Sequence, residues 1–229
     1  AHALLRDQAL ATIRPLRRCR IHLRVAQVLA GATASDAKAR RAAHLLDALP
    51  VAEVRDVVEA CRAAADDAIA HWDSESAAHW FAAALRTQED ADPGSADIDD
   101  LLVDLLAAQA RAGHLQEVLH TVEDRLNRAI RSGATATAGR LATALIRAAG
   151  AWPWIGPHVE NENLRAVLAD TALFVADDPR SLARVLAAAA IGESYARNAG
   201  VPARLLEQAE AIAVQVADDL GVPLAGQPP

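Results

Sequence analysis

Along most of this chain, apolar residues recur every three or four positions, and the runs are separated by short breaks rich in Gly, Pro, Asp and Ser. That spacing puts apolar side chains on one face of a helix. Residues 2–13 place Leu4, Leu5, Ala9, Leu10 and Ile13 on such a face. Pro15 interrupts that helix and suits the first turn of the next, Leu16–Leu29. There Ile21, Val25, Val28 and Leu29 are apolar, while Arg17, Arg18, Arg20 and Arg24 fill most of the remainder. Gly31 to Asp36 is a turn-rich break. Further helices are expected over Ala37–Ala48, Val57–Ala70, Glu75–Leu85, Leu101–Arg111, Leu115–Ile130, Ala134–Ala149, Glu160–Val175, Pro179–Ala196 and Pro202–Leu220. The last carries a stripe of Leu205, Ala209, Ile212, Val216 and Leu220. No alternating Val/Ile/Thr run bounded by turn residues signals a strand. Gln88–Asp100 reads as a solvated acidic loop; it lacks the ligand spacing of a calcium loop.

The helices fall into hairpins, organised around the one that turns at Trp72-Asp73-Ser74. Its second helix carries Ala77, Phe81 and Ala84, and its first carries Cys61, Ala64, Ala65 and Ala68. Small residues at these spacings let two antiparallel helices approach closely. The A-x3-F-x2-A pattern resembles the second-helix half of a tetratricopeptide repeat, and Ala112-Gly113-His114-Leu115 resembles the turn of such a repeat. Trp72 and Gly113 occupy equivalent turn positions. Their separation exceeds the repeat's usual period of about 34 residues, an excess assigned to the acidic loop. A third hairpin (Ala134–Ala149, Glu160–Val175) and a fourth (Pro179–Ala196, Pro202–Leu220) follow. The expected fold is all-α, a right-handed superhelix of antiparallel, TPR-like hairpins.

Composition sharpens this picture. Hydrophobic residues make up 52% of the 229 positions but aromatics only 3%, so the core must be built from Ala, Leu, Val and Ile at close helix–helix distances. Two cysteines make no disulfide framework and suggest a reducing, cytoplasmic setting. Arginines interrupt every apolar run before it can span a membrane. The chain begins at Ala1 and contains no Met; it is expected to be a segment of a longer protein. The net charge of −7 conceals an asymmetry: residues 1–41 carry nine Lys and Arg against two acids, and the rest carries 14 against 28. An acidic body is a poor partner for phosphate, so DNA contact is expected only through domains outside this chain. The basic head invites docking on the acidic repeats. Its apolar face needs cover, from those repeats or from a second copy in a homo-oligomer.

The head also carries a resemblance. His2-Ala3-Leu4-Leu5-Arg6, then Pro15, Arg17-Arg18, His22, Val25-Ala26 and Leu29 resemble the end of the winged-helix lobe of STAND-class ATPases, as found in bacterial transcriptional regulators of the LuxR type. The helical hairpins of 37–220, with their Trp- and Gly-rich insertion, resemble the sensor segment of the same regulators. The resemblance implies residues 1–31 closing the ATPase lobe and a helical-repeat domain over 32–220; residues 221–229, ending Gln227-Pro228-Pro229, read by composition and position as a flexible tail. It places His2 where that family has a nucleotide-sensing histidine, although Ala3 stands where the related motif has Asp. It implies ATP or ADP as cofactor of the whole protein, none in this segment, and the adjacent ATPase domain as a partner. His44 falls within the helix preceding the first repeat, with a packing role expected.

No Walker motif, G-x-G-x-x-G, nucleophile elbow or H-E-x-x-H is present, so no catalytic residue is assigned and no enzyme activity is expected. His71, Glu75 and His79 recur every four residues, but a helix break divides them and the ligand set is incomplete; no metal site is assigned. The stretch that stands out is Trp152 to His158. Two of the four Trp lie in a turn, where they either plug a groove or form a contact surface. Trp80, Trp152, Trp154 and His158 are the candidate effector or partner site, with the loop expected to line the inner groove near Trp80. The expected function is a regulatory sensor domain of a multidomain transcriptional regulator that binds an effector, a partner protein or the ATPase lobe. The alternative is a tetratricopeptide-type scaffold that binds peptides in its groove.

Overall fold

A computed structural model of the chain describes residues 13–148, 162–193 and 200–220. The described residues form helices and their connecting turns, without strands. Among the described residues ten helices follow one another: α1 (Pro15–Leu29), α2 (Ala37–Asp47), α3 (Val54–Ala70), α4 (Ser74–Ala91), α5 (Asp97–Arg111), α6 (Leu115–Ser132), α7 (Thr135–Ala148), α8 (Glu162–Phe174), α9 (Pro179–Gly192) and α10 (Gly200–Leu220). None of them is long and apolar enough to cross a membrane. The helix expected over 2–13 and the Trp152–His158 loop lie outside the described residues, as do His2 and the tail from Gly221.

The chain divides into two compact units at Leu101–Leu102, inside α5. In the first unit α1 packs on α2, α2 on α3, and α3 on α4. Pro15 opens α1, as its position predicts. The α3–α4 hairpin is built as its small residues require. Ala60, Cys61, Ala64 and Ala65 of α3 are buried, as are Ala77, Ala78, Ala83 and Ala84 of α4, with Phe81 the one large ring enclosed among them. With mostly short side chains between the backbones, close dispersion contacts contribute much of what holds this pair. Lys38 of α2 adds a 2.7 Å ion pair to Asp67 of α3.

The turns carry the same device three times. At the end of α3 the amide of Asp73 donates to Ala68 O and that of Trp72 to Ile69 O. At the end of α5 His114 donates to Gln109 O and Gly113 to Ala110 O; at the end of α6 Ala134 donates to Ala129 O and Gly133 to Ile130 O. Each pair of bonds is a Schellman closure, which needs a left-handed residue at its corner. Those corners are Trp72 (φ 61°), Gly113 (φ 97°) and Gly133 (φ 75°). The equivalence of Trp72 and Gly113 is therefore conformational.

The acidic stretch differs from expectation. Rather than a loop over 88–100, α4 continues to Ala91 and α5 begins at Asp97. Asp97, Asp99 and Asp100 occupy the first turn of α5, where the positive end of the helix dipole favours carboxylates. The extra length between the two turns is mostly helix.

In the second unit α6 packs on α7 and α8, and α9 packs on α7, α8 and α10. The fourth hairpin, α9–α10, forms as expected. Leu106, Leu126, Leu141, Leu145, Leu164, Leu168 and Val185 are fully buried here, each contributing about 1.5–3 kcal/mol. Arg165 of α8 donates from Nε to Glu193 Oε1 at 2.7 Å, beyond the end of α9. Arg147 of α7 pairs with Asp104 of α5.

Candidate functional site

Three features of the first unit are candidates for contact with other molecules. The first is the α3–α4 turn. Asp73 caps α4 by accepting a hydrogen bond from the Ser76 amide at 3.0 Å; hydrogen bonding from the Ser76 side chain, with this amide second, holds its carboxyl below the usual carboxylate range. The cap and the Schellman closure lock the turn from both sides. Trp72, at its corner, is 93% exposed. A bulky side chain at positive φ is uncommon, and here the indole receives almost no packing in return. Trp80 lies one helix away, half-buried on α4, its ring edge-on to His79 at a centroid distance of 4.9 Å. Trp152, Trp154 and His158 lie outside the described residues.

The second feature is an open groove of about 640 Å³ between the start of α3, the end of α4 and Asp97. Val54 and Val58 give it an apolar floor, Arg55, Arg62, Glu59 and Asp92 give it charges of both signs, and Gln88 adds a neutral amide. Arg55 Nε donates to Glu59 Oε1 at 2.8 Å. Asp92 Oδ1 accepts from the Gly94 amide.

The third lies between α1 and α2. His22 of α1 and His44 of α2 approach through their Nδ1 atoms, 3.1 Å apart, with ring centroids 5.0 Å apart and planes at 61°. Asp47, one turn beyond His44, places Oδ2 3.1 Å from the same His22 Nδ1. Both imidazoles are half-buried and the carboxylate is exposed. Burial, with the neighbouring His22 second, holds the His44 pKa below that of a free imidazole, against the opposing pull of Asp47. Among the described residues this is the one group of three metal-ligating side chains that converges. The expected packing role of His44 holds in that the ring lies against α1, but the ring also meets two groups able to share a proton or a cation with it.

The spaced set His71, Glu75 and His79 is not such a group. His71 follows the end of α3, its Nδ1 2.7 Å from Asp67 O, whereas His79 lies within α4 against Trp80. His22 and Asp47 carried no metal signal in the sequence. The i, i+3 spacing of His44 and Asp47 was the only local trace of a shared face.

Compared with protein-family models, curated proteins and solved structures, the chain matches none.

Proposed function

We propose that the chain is a helical-repeat recognition module that regulates a larger protein by binding an effector or partner, with the Trp72 turn as part of its contact surface. The observation that carries this reading is Trp72 itself. A left-handed corner closing a helix is best filled by Gly, as at Gly113 and Gly133. Holding a tryptophan there costs about 1–2 kcal/mol, and its exposure returns little of that through packing. Backbone strain clusters at functional sites, and Trp is among the residues enriched in binding hot spots. The resemblance of the sequence to the sensor segments of STAND-class transcriptional regulators supports the same reading, with the ATPase lobe and DNA-binding parts lying outside this chain.

The groove between α3 and α4 favours the second reading, a scaffold that binds peptides. Its apolar floor and mixed charges suit an extended segment carrying both acidic and basic side chains.

In the protein that carries this module, Trp72→Gly and Trp152→Ala/Trp154→Ala variants should lose effector-dependent transcription while far-UV circular dichroism stays helical. Arg62→Glu should leave that response intact. If the Trp variants respond normally and Arg62→Glu alone abolishes partner binding, the scaffold reading replaces the sensor one.

A further inference from the structure

We infer that His22, His44 and Asp47 form a binding site for a divalent transition-metal ion of the zinc class, with three protein ligands and one position left for water. The site is independent of the regulatory reading above.

The geometry is close to that of a coordination shell. Zinc binds imidazole nitrogen and carboxylate oxygen at about 2.0–2.1 Å, so adjacent ligands of a tetrahedron lie about 3.3 Å apart. The two Nδ1 atoms are 3.1 Å apart, and His22 Nδ1 lies 3.1 Å from Asp47 Oδ2. One donor atom from each residue lies within 4.8 Å of the other two. The longest edge closes by rotation of Asp47, whose side chain is 63% exposed at the last residue of α2.

The proton count points the same way. His22 Nδ1 faces two groups at once and has one proton at most to give. If it donates to Asp47, the lone pair of His44 competes for the same hydrogen. If His44 donates to it, the Asp47 carboxylate faces a nitrogen with no proton. A cation between the three satisfies both nitrogens and the carboxylate together. Imidazole and carboxylate donors suit zinc.

The ion would staple α1 to α2. His44 and Asp47 share a face of α2 through their i, i+3 spacing, and His22 comes from the arginine-rich α1. Metal binding would therefore fix the basic helix against α2, and because it selects the folded chain it would raise thermal stability.

The test uses the full chain, stripped with EDTA and titrated with Zn²⁺ in competition with a chromophoric chelator, with Co²⁺ as a spectroscopic probe. Expected are one equivalent of tight binding, visible Co²⁺ bands of a four-coordinate site, and a rise in Tm. His22→Gln, His44→Gln and Asp47→Asn should each weaken binding by at least about a hundredfold and remove the rise in Tm; His79→Gln should change neither. The exposed Asp47→Asn change carries the test if a histidine variant fails to fold by circular dichroism. Absence of a saturable single site, or binding undiminished in Asp47→Asn and His44→Gln, would overturn the proposal.

Discussion

Trp72 shows how one residue can be misfit for its backbone and still be kept. Its φ of 61° closes α3, and the side chain that pays the steric cost is 93% exposed. Trp72→Gly should therefore stabilise the isolated chain by about 1 kcal/mol, read as a higher urea midpoint with an unchanged slope. A lower midpoint would mean that the indole packs on something in solution. Cys61 is the opposite case, a residue fitted to its place. It is fully buried among the alanines of α3, and burial pushes its thiol up to about 11, slightly countered by Arg86. Because the folded value lies above the unfolded one, about 8.5, the associated stability is complete below about pH 8.5 and is lost as pH rises toward 11. At pH 8, Cys61 should resist iodoacetamide in the folded chain and react fully in urea, as peptide mass analysis would show. Rapid alkylation of the folded chain would contradict the burial.

At the scale of elements, α7 and α9 form a close joint. A Cβ on Gly139 would lie 2.7 Å from the Cα of Ser181 and 2.6 Å from its Cβ, so these helices meet almost backbone to backbone. Asp178 fixes the other side of the joint: it caps α9, accepting from the Ser181 amide at 3.3 Å and the Ser181 hydroxyl at 2.7 Å. Those bonds hold the Asp178 carboxyl below its usual range. Its contribution is present above the unfolded pKa, about 3.9, and fades as pH falls through the lower folded value. Gly139→Ala improves helix propensity, yet it should destabilise the chain by about 1–3 kcal/mol, because the backbone of α9 has to move. Thermal unfolding followed by circular dichroism measures this, and a Tm equal to or above that of the parent would show that the joint yields freely.

For the molecule as a whole, the chain divides into two units within one helix, and residues 1–41 carry a net positive charge while the rest carries a net negative one. The sole lysine, Lys38, is committed to Asp67 on α3. Phosphate cradling by a Gly-rich loop needs a lysine free to reach the β- and γ-phosphates. The purified chain should accordingly release no phosphate from ATP above a blank. An activity that follows the protein through successive columns would refute this and return the chain to the enzymes.

Helix identity, the sites of most turns and the pairing of α3 with α4 and of α9 with α10 were legible in the sequence, because they depend on residues close together along the chain. An apolar stripe such as that of Leu205, Ala209 and Ile212 needs only its own neighbours to declare a helix. The acidic stretch misled for a local reason too: Asp97, Asp99 and Asp100 look like loop residues until they occupy the first turn of α5, where the dipole welcomes them. Trp72 shares the turn position of Gly113 in the sequence, but nothing local tells that its ring will stand there unpacked. Gly139 and Ser181 meet only when α9 folds onto α7, and His22 meets His44 and Asp47 only when α1 lies on α2. The sequence by itself determined the helices and much of their order, since backbone propensity and apolar period act over a few residues. Tertiary structure alone decided the histidine–carboxylate cluster and the helix joint, since hydrogen-bond and coordination geometry act over ångströms between segments the chain places far apart.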